Sequence, residues 1–342
     1  MVTTEIKYAP VIIPTLCRAE HFIRCIESLR KNTWAEYTDV YIALDYPAKD
    51  SHWDGYNKIC EYLQNEFTEF NEFHVVKRPC NYGAGKNIKE LKEIVLEKYD
   101  RYIRTDDDVE FAPNFLEYMD KCLSYFEDDE NVIAVTGYSY PVDWEVSEGS
   151  TVFKENFIVP MWGTGFWKDK IKIIENQIKN ACLVQDFNSI NKSGAINRMT
   201  KACYVDYINM SLRNNADNGL MCRMTDVSMR AFTSIYDKYV VAPVLSKVRN
   251  WGFDGSGMYC GKIDSCDGNY AYNYSYKTQR IDTSRDFDFI LDEKNANDEN
   301  RKRLDGFDVR SRSRMFKAKL QHYLYCLLGK RIFLGILRTV GK

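Results

Sequence analysis

The chain has 342 residues, of which 45% are hydrophobic and 28% charged, so it can bury a sizeable core and global disorder is excluded. Its net charge of −2 argues against a nucleic-acid-binding protein. The 11 cysteines form no CxxC pair, and Cys260 and Cys266 lack the partners of a zinc site, so we expect reduced thiols and a cytoplasmic protein. The N-terminus has no signal-peptide pattern, and no apolar run reaches the roughly 18 residues of a membrane span.

The first third of the chain alternates between strand and helix periodicity. Strands are predicted over Tyr8 to Pro14, Asp39 to Leu44, Phe73 to Lys77, Tyr99 to Arg104 and, further on, Val132 to Thr136. Helices are predicted between them over Arg18 to Lys31, Tyr56 to Phe67 and Asn87 to Lys98. This order predicts an α/β fold of the Rossmann-like kind, with a mainly parallel sheet flanked by helices.

Beyond Thr136 the alternation weakens. The Gly/Trp-rich stretches 160–170 and 249–260 are predicted loops, and residues 171–235 are mostly helical in pattern. Residues 282–303 are polar and rich in charge, which favours a linker to the C-terminal tail.

The tail is basic, and its apolar residues recur at helical spacing. These residues are Phe316, Leu320, Tyr323, Leu324, Leu327 and the patch Ile332 to Leu337. The pattern is typical of an interfacial helix that binds anionic lipid, which would make the protein peripheral at the inner face of a membrane. A C-terminal helix docked on the protein's own core would show the same pattern.

Three consecutive acids, Asp106 to Asp108, follow a predicted strand in RYIRTDDDVEFAP. Thr15 and Asp45 also follow strands, and the carboxyl ends of parallel strands form the ligand-binding edge of such sheets. A solvated turn would explain the acids, but adjacent carboxylates repel each other unless a cation offsets their charge. Carboxylate oxygens suit Mg²⁺ or Mn²⁺, so a metal site is favoured.

Other metal and phosphate sites fit the sequence poorly. NYGAGKN (81–87) resembles a phosphate loop but has Cys80 and Asn87 where the Walker pattern needs Gly and Ser or Thr. The Asp-rich stretches do not have the spacing of a calcium loop, and no HExxH motif supports a zinc hydrolase.

The segment IRTDDDVEFAPNFLEYM resembles the DxD segment of GT-A glycosyltransferases, especially the N-acetylglucosaminyltransferase I-like group. VIIPTLCRAEHFIRCIESL is similar to the opening of family 2-like transferases. WGTGFWKD and NWGFDGSGMYC resemble two loops of bacterial surface-polysaccharide transferases in this set. The resemblance covers roughly residues 8–260. Those bacterial relatives often carry His where this chain has Tyr259, which leaves the role of that position open.

The resemblance implies a GT-A domain over residues 1–260, with a nucleotide-sugar half (1–136) and an acceptor half (137–260). A polar linker region (261–303) and a basic, amphipathic helical tail (304–342) would complete the chain.

The resemblance also implies the ligands and the residues that bind them. The donor would be a nucleotide-diphosphate sugar, with a UDP-sugar expected, and the acceptor a glycan or a lipid-linked molecule. Mn²⁺ or Mg²⁺ would be held by Asp108 directly and by Asp106. The residues expected to bind the nucleotide sugar are Pro14, Thr15, Arg18, Asp45, Asn81, Gly83, Lys86, Arg104, Asp106 and Asp107. Those expected to contact the acceptor or sugar are Trp162, Gly163, Trp167, Asp254 and Gly255.

An inverting transfer needs a base for the acceptor hydroxyl. We favour Asp226 over Asp217 because the order of the family-like segments places an acid on a helix between the two loops, although Asp226 could also be a helix N-cap. Two other functions stay open. One is a sugar-phosphate nucleotidyltransferase, although PTLCRAE lacks the glycines that this function would need, and the other is a non-catalytic carbohydrate-binding protein.

Overall fold

The computed structural model of the chain describes residues 5–157, 159–181, 194–217, 225–257, 277–294 and 297–340. The strands are β1 (Val11–Thr15), β2 (Asp39–Leu44), β3 (Glu72–Lys77), β4 (Arg101–Arg104), β5 (Val109–Phe111), β6 (Val132–Thr136), β7 (Val152–Glu155), β8 (Thr164–Trp167), β9 (Tyr239–Pro243) and β10 (Val248–Asn250). The α-helices are α1 (Ala19–Leu29), α2 (Trp53–Tyr62), α3 (Ala84–Lys98), α4 (Phe115–Tyr125), α5 (Lys168–Ala181), α6 (Ala195–Arg198), α7 (Lys201–Asp217), α8 (Asp226–Tyr236), α9 (Asp298–Phe307) and α10 (Arg312–Val340).

Eight of these strands form one sheet in the order β3-β2-β1-β4-β8-β6-β9-β7. The strands β3, β2, β1 and β4 are parallel to one another, whereas β8 runs antiparallel between β4 and β6. A separate antiparallel ribbon joins β5 to β10. The predicted α/β fold with a mainly parallel sheet is therefore confirmed.

Both faces of the sheet are covered, as a parallel sheet requires. Helix α1 buries Phe22, Ile26 and Leu29, the face that its sequence predicts, against one side of the sheet. Helix α3 buries Leu91 and Val95 in a second apolar cluster on the other side. Val11 and Ile13 of β1 contribute to one cluster and Ile12 to the other, so the strand is buried over these residues.

The prediction of a loop over 160–170 is wrong for β8. This strand pairs Thr164 with Arg104 and Trp167 with Arg101, and it is buried over its whole length. Trp167 is 2% exposed, and its indole Nε1 donates a hydrogen bond to the Leu123 carbonyl at 3.1 Å. Trp167 was expected to contact the acceptor or sugar, but it lies in the core because it stands at the far end of β8 from the edge where β4 ends.

The predicted linker is folded where the structure describes it, over residues 277–294 and, in the first part of α9, over residues 297–303. Phe287 is 3% exposed and packs edge-on against Tyr118 at 5.2 Å. Asp282 forms a buried ion pair with Lys247 at 2.5 Å and accepts a hydrogen bond from Asn114 at 3.0 Å. This segment is therefore part of the folded domain, and it anchors the chain between β10 and α9.

The tail forms α10, which packs against α7 and bends at Gly329, where φ is 75°. Among the described residues, no helix combines the length and the apolar character needed to cross a membrane.

Replacing Trp167 by Ala should lower the free energy of unfolding by about 3–5 kcal/mol, because the change leaves a large cavity in the core. Urea unfolding of the variant and the wild type would measure this difference. A variant with unchanged stability and selectively weakened sugar transfer would instead restore Trp167 as a substrate contact.

Candidate active site

Polar side chains follow three neighbouring strands at one edge of the sheet. Thr15 ends β1, Asp45 follows β2, and Asp106 to Asp108 follow β4. Because β2, β1 and β4 are adjacent and parallel, their carboxyl ends meet at this edge. The three loops converge there, as the sequence predicts.

Arg18 neutralises two of the three acids. Its Nη1 donates a hydrogen bond to Asp108 Oδ2 at 2.7 Å, and its Nη2 donates to Asp107 Oδ1. The Thr15 hydroxyl donates to the other oxygen of Asp107 at 2.8 Å. Burial raises the pKa of Asp107, while the charge of Arg18 opposes that shift. Arg18 and Thr15, both expected to bind the nucleotide, are thus engaged with the acids and position them.

The ribbon of β5 and β10 holds Asp108 from the other side. Asn250 lies opposite Val109 in this ribbon, and its Nδ2 donates to Asp108 Oδ1 at 3.0 Å. The Trp251 amide donates to the Asp108 carbonyl at 2.8 Å. A Cβ at position 252 would lie 2.1 Å from Asp108 Oδ2. Only glycine therefore lets the backbone at this position come so close to the Asp108 carboxylate.

Asp106 is the most open of the three acids, with 34% of its side chain exposed. Its Oδ1 lies 3.9 Å from Arg104 Nη2. Burial in the crevice, opposed by Arg104 and reinforced by the charges of Asp108, Asp107 and Asp226, raises the pKa of Asp106 to about 7. Arg104 Nε is buried and has no hydrogen-bond partner among the described residues. The crevice therefore holds excess negative charge beside an unused guanidinium donor.

The reversed direction of β8 brings the segment before it to the same edge. Thr164 pairs with Arg104 at the end of β4, so Trp162 lies close to the acids. Trp162 is half-buried and packs edge-on against Tyr138 at 4.9 Å and against Phe253 at 6.0 Å.

A cavity has Asp226 and Trp162 in its wall. The residues that line it are Tyr140, Val159, Pro160, Trp162, Asp226, Arg230, Asp308 and Arg310. Burial raises the pKa of Asp226, while the charges of Arg230 and Arg104 oppose the shift. The Asp226 charge also contributes to the raised pKa of Asp106, so the two carboxylates interact electrostatically.

Asp226 is the first residue of α8 but does not cap it. The N-cap is Thr225, whose hydroxyl accepts a hydrogen bond from the Ser228 amide at 3.2 Å in a capping box. The alternative interpretation of Asp226 as the N-cap is therefore wrong, and its carboxylate is available at the cavity.

Asp45 was expected to bind the nucleotide, but its side chain organises the loop before α3. Its Oδ1 accepts hydrogen bonds from the amides of Tyr46 and Tyr82 at 2.9 and 2.8 Å, and its Oδ2 accepts from the Gly83 amide at 2.9 Å. The side chain of Asn81 donates to the Tyr46 carbonyl at 2.6 Å. Asp45 is 3% exposed, and by holding these amides it fixes the conformation of this loop.

The other residues expected at the nucleotide lie nearer the surface. Pro14 is half-buried at the end of β1. Gly83 has φ of 71°, a conformation that favours glycine, at the start of α3. Lys86 is exposed, with its Nζ 3.9 Å from the centre of the Tyr82 ring and 3.6 Å from Glu90 Oε1.

The residues expected at the acceptor divide into buried and exposed ones. Gly163 is buried with φ of 61°, and a Cβ there would lie 2.8 Å from the Phe115 ring, so the backbone packs closely against this ring. Asp254 and Gly255 are exposed, and Asp254 Oδ2 lies 3.2 Å from His21 Nε2 on α1. Tyr259 and the side chain of Asp217 lie outside the described part of the chain.

Sequence reasoning missed Asn250, Gly252 and Arg230. The first two lie in the segment NWGFDGSGMYC, which the resemblance had already drawn attention to. Their contact with Asp108 depends on the pairing of β5 with β10, which no local pattern indicates.

The acids fit a divalent cation. Adjacent carboxylates offer the hard oxygen ligands that Mg²⁺ and Mn²⁺ prefer. Arg18 offsets the charge of Asp107 and Asp108, whereas Arg104 Nη2 lies 3.9 Å from Asp106. Burial first, and then repulsion from the neighbouring carboxylates, raises the pKa of Asp106. A cation shared with Asp106 would relieve this repulsion.

A second acidic group lies at the opposite edge of the sheet. Asp39, Glu72 and His74 each place one ligand atom within 4.8 Å of the others. Lys98 Nζ lies 3.4 Å from Asp39 Oδ2 and 3.3 Å from Glu72 Oε2, so an ammonium already offsets these charges. The group lies where β2 and β3 begin rather than where they end.

Comparison with known proteins agrees with this architecture. Residues 11–178 match the sequence model of the family described as Glycosyl transferase family 2. No curated protein matches the chain.

Several solved structures are similar to part of the chain. TarS of S. aureus is 15% identical over 42% of this chain and 24% of its own, with a TM-score of 0.29. The mannosyltransferase PcManGT of Pyrobaculum calidifontis, solved with GDP-Man and Mn²⁺, is 15% identical over 50% of this chain and 47% of its own, with a TM-score of 0.34. GalNAc-T7, solved with UDP, GalNAc and Mn²⁺, is 14% identical over 39% of this chain and 23% of its own, with a TM-score of 0.29. The chain thus spans at most half the length of these proteins, and at such scores these likenesses carry no argument about its substrates.

The sheet order, the acids at the carboxyl edge and the family match together define a domain of the GT-A type. The match to the Glycosyl transferase family 2 model covers residues 11–178, from β1 into α5.

Replacing Asp226 by Asn should raise the free energy of unfolding at pH 7. A carboxyl group whose pKa is raised on folding destabilises the folded state once the pH exceeds its unfolded value, near 3.8, because its charge is then buried. The gain should therefore shrink as the pH falls from 7 towards 3.8, and urea unfolding at pH 7 and pH 5 would measure it.

Asp254→Asn is the matched control, and it should change the free energy of unfolding in the opposite direction. Burial by itself would raise the pKa of Asp254. Hydrogen bonds from Ser256 and the charge of His21 outweigh burial and lower this pKa, so the charge of Asp254 stabilises the fold. This control should lose stability at pH 7. A loss of stability in the Asp226→Asn variant would contradict the raised pKa of the half-buried Asp226.

Proposed function

We propose that the protein is a metal-dependent, inverting glycosyltransferase. It would move a sugar from a nucleotide-diphosphate sugar, with a UDP-sugar as the expected donor, to a glycan or lipid-linked acceptor in surface-polysaccharide synthesis. The observation that carries the proposal is the presence of two carboxylate environments that interact electrostatically, Asp106 to Asp108 after β4 and Asp226 in the wall of a cavity. Inverting transfer needs these two environments, because the leaving group and the attacking hydroxyl lie on opposite faces of the sugar.

The leaving-group side of the crevice suits a diphosphate. Arg104 Nε has a hydrogen to donate and lies beside Asp106, so a phosphate oxygen could accept a charge-assisted hydrogen bond there. Mn²⁺ or Mg²⁺, held by Asp106 and Asp108, would neutralise the charge that grows on the departing diphosphate. Arg18 keeps Asp108 in place through its ion pair, and Asn250 fixes the other oxygen of the same carboxylate.

The acceptor side of the crevice suits a sugar hydroxyl. The raised pKa makes Asp226 a stronger base, while Arg230 and Arg104 keep its charged form accessible. Trp162 lines the cavity beside Asp226 and offers an aromatic surface for an apolar sugar face. Asp226 would accept the hydroxyl proton as the new glycosidic bond forms.

Asp108→Asn should abolish the thermal stabilisation that UDP produces in the presence of Mn²⁺. The change removes a charged ligand and leaves an amide of the same shape, so the ligand-free protein should keep a cooperative unfolding transition. Thermal-shift measurements with and without Mn²⁺, and with GDP in place of UDP, would test this expectation.

Asp106→Asn provides the comparison at the neighbouring carboxylate. If Asp106 shares the cation, this variant should also lose most of the Mn²⁺-dependent shift. If both variants keep the full shift, the metal assignment is wrong.

Asp226→Asn should lower the transfer rate by about 10²- to 10⁴-fold, the usual contribution of a general base. Donor binding should survive, because Asp226 lies on the acceptor side. The test is steady-state transfer, or hydrolysis of UDP-sugars when no acceptor is known, together with UDP binding.

Asp217→Asn serves as the control and should change the rate little. If this control loses activity while Asp226→Asn keeps it, the two roles are exchanged. A wild-type protein that binds nucleotide sugar with Mn²⁺ but neither hydrolyses nor transfers it would be a carbohydrate-binding protein instead.

A further inference from the structure

Helix α10 presents a row of large apolar side chains to solvent. Phe316, Leu320, Tyr323 and Leu327, here named the outer stripe, are 68%, 44%, 64% and 65% exposed. They are spaced i, i+4, i+7 and i+11, so they share one face of the helix over a length of about 17 Å. Four large apolar side chains exposed side by side on one helix indicate a binding surface rather than scattered surface residues.

The opposite face of α10 already has a partner within the chain. Ala318, His322 and Tyr325 are 1%, 8% and 5% exposed, and α10 packs there against α7. His322 Nδ1 lies 2.9 Å from the hydroxyl of Tyr204 on α7, which fixes the rotation of the helix. The helix therefore docks on the protein's own core, as one of the two sequence interpretations requires. In this docked orientation, the outer stripe points away from the protein.

Basic residues flank the outer stripe. Residues 309–342 contain nine Lys or Arg and no Asp or Glu. Arg312, Lys317 and Lys319 are exposed around the stripe. Long basic side chains beside an apolar face can reach lipid phosphates while the apolar side chains enter the interface.

We propose that the outer stripe docks on an anionic lipid surface, with α10 lying in the plane of the interface. Charge complementarity favours lipid over a second copy of this chain, because two copies paired through the stripe would bring the same basic residues together. Beyond the kink at Gly329, Ile332 and Ile336 are 59% and 46% exposed, and Arg331 is exposed as well. Anionic lipid of the cytoplasmic leaflet is the surface that this composition fits.

Lipid docking bears on the acceptor, and this consequence rests on the proposed function. Asp308 and Arg310 line the cavity beside Asp226, and α10 begins two residues after Arg310. Helix α10, which we propose to bind the lipid, therefore directly follows residues that line the cavity beside Asp226. A lipid-linked acceptor held in the same membrane would reach Asp226 without leaving the surface.

Co-sedimentation of the full chain with vesicles tests the proposal without any need for activity. Vesicles of phosphatidylcholine would be compared with vesicles that also contain phosphatidylglycerol, and neither contains an acceptor. Binding should require phosphatidylglycerol and weaken at high salt. Phe316→Ser/Leu327→Ser should lower the partition coefficient by about tenfold or more, because two large apolar side chains no longer leave water.

Two further variants separate the apolar and electrostatic contributions. Ile173→Ser/Ile290→Ser removes two apolar side chains that are 57% and 48% exposed elsewhere, and it should bind vesicles as the wild type does. Lys317→Gln/Lys319→Gln should reduce binding to phosphatidylglycerol vesicles by about tenfold. All variants should keep wild-type helix content by circular dichroism, since the changed side chains are exposed.

Failure of the wild type to bind phosphatidylglycerol vesicles would overturn the proposal, as would equal losses in the outer-stripe and control variants. A concentration-dependent dimer, seen by sedimentation equilibrium and abolished by Phe316→Ser/Leu327→Ser, would assign the outer stripe to a second copy of the chain. None of these outcomes depends on sugar transfer, so the lipid surface and the proposed function can fail separately.

Discussion

Asp106, Asp107 and Asp108 carry adjacent negative charges at the end of a buried strand, and the ion pairs of Arg18 make this arrangement tolerable. Breaking a buried ion pair by removing one partner costs about 3–5 kcal/mol. Arg18 reaches both Asp107 and Asp108 because it follows β1, the strand that pairs directly with β4. The order of strands in the sheet is therefore a condition for the acid cluster, and Asp106 is left with the weakest compensation.

The strand β8 runs antiparallel to β4 and β6, and this direction adds a second set of side chains to the edge where the acids lie. A parallel strand in its place would have carried the segment before it to the opposite edge of the sheet. The antiparallel direction instead brings Trp162 next to the end of β4, close to Asp226. The acids come from the parallel half of the sheet, and the cavity comes from β8 and the helices after it. Asp106 to Asp108 and Asp226 therefore lie in two different environments, one supplied by each part of the fold.

The C-terminal third completes the domain. Lys247 and Asp282 form a buried ion pair that ties residues 277–294 to the ribbon that holds Asp108, and these contacts lower the pKa of Asp282 to about 2 against the effect of burial. Asp308 and Arg310 then enter the cavity wall before α10 begins. The same stretch of chain thus supports the site, closes its cavity and carries the outer stripe.

Local periodicity determined much of this protein from its sequence. The strand over Asp39 to Leu44, the buried face of α1 and the position of the acids after a strand all follow from patterns within a few residues. Such patterns report which side of an element is apolar, but they carry no information about the partner that covers it. Thr164 to Trp167 is therefore indistinguishable from a loop until β4 and β6 pair with it. The contact between Asp108 and Asn250 joins residues 142 positions apart, and tertiary structure decided it because only the folded sheet brings such distant segments together.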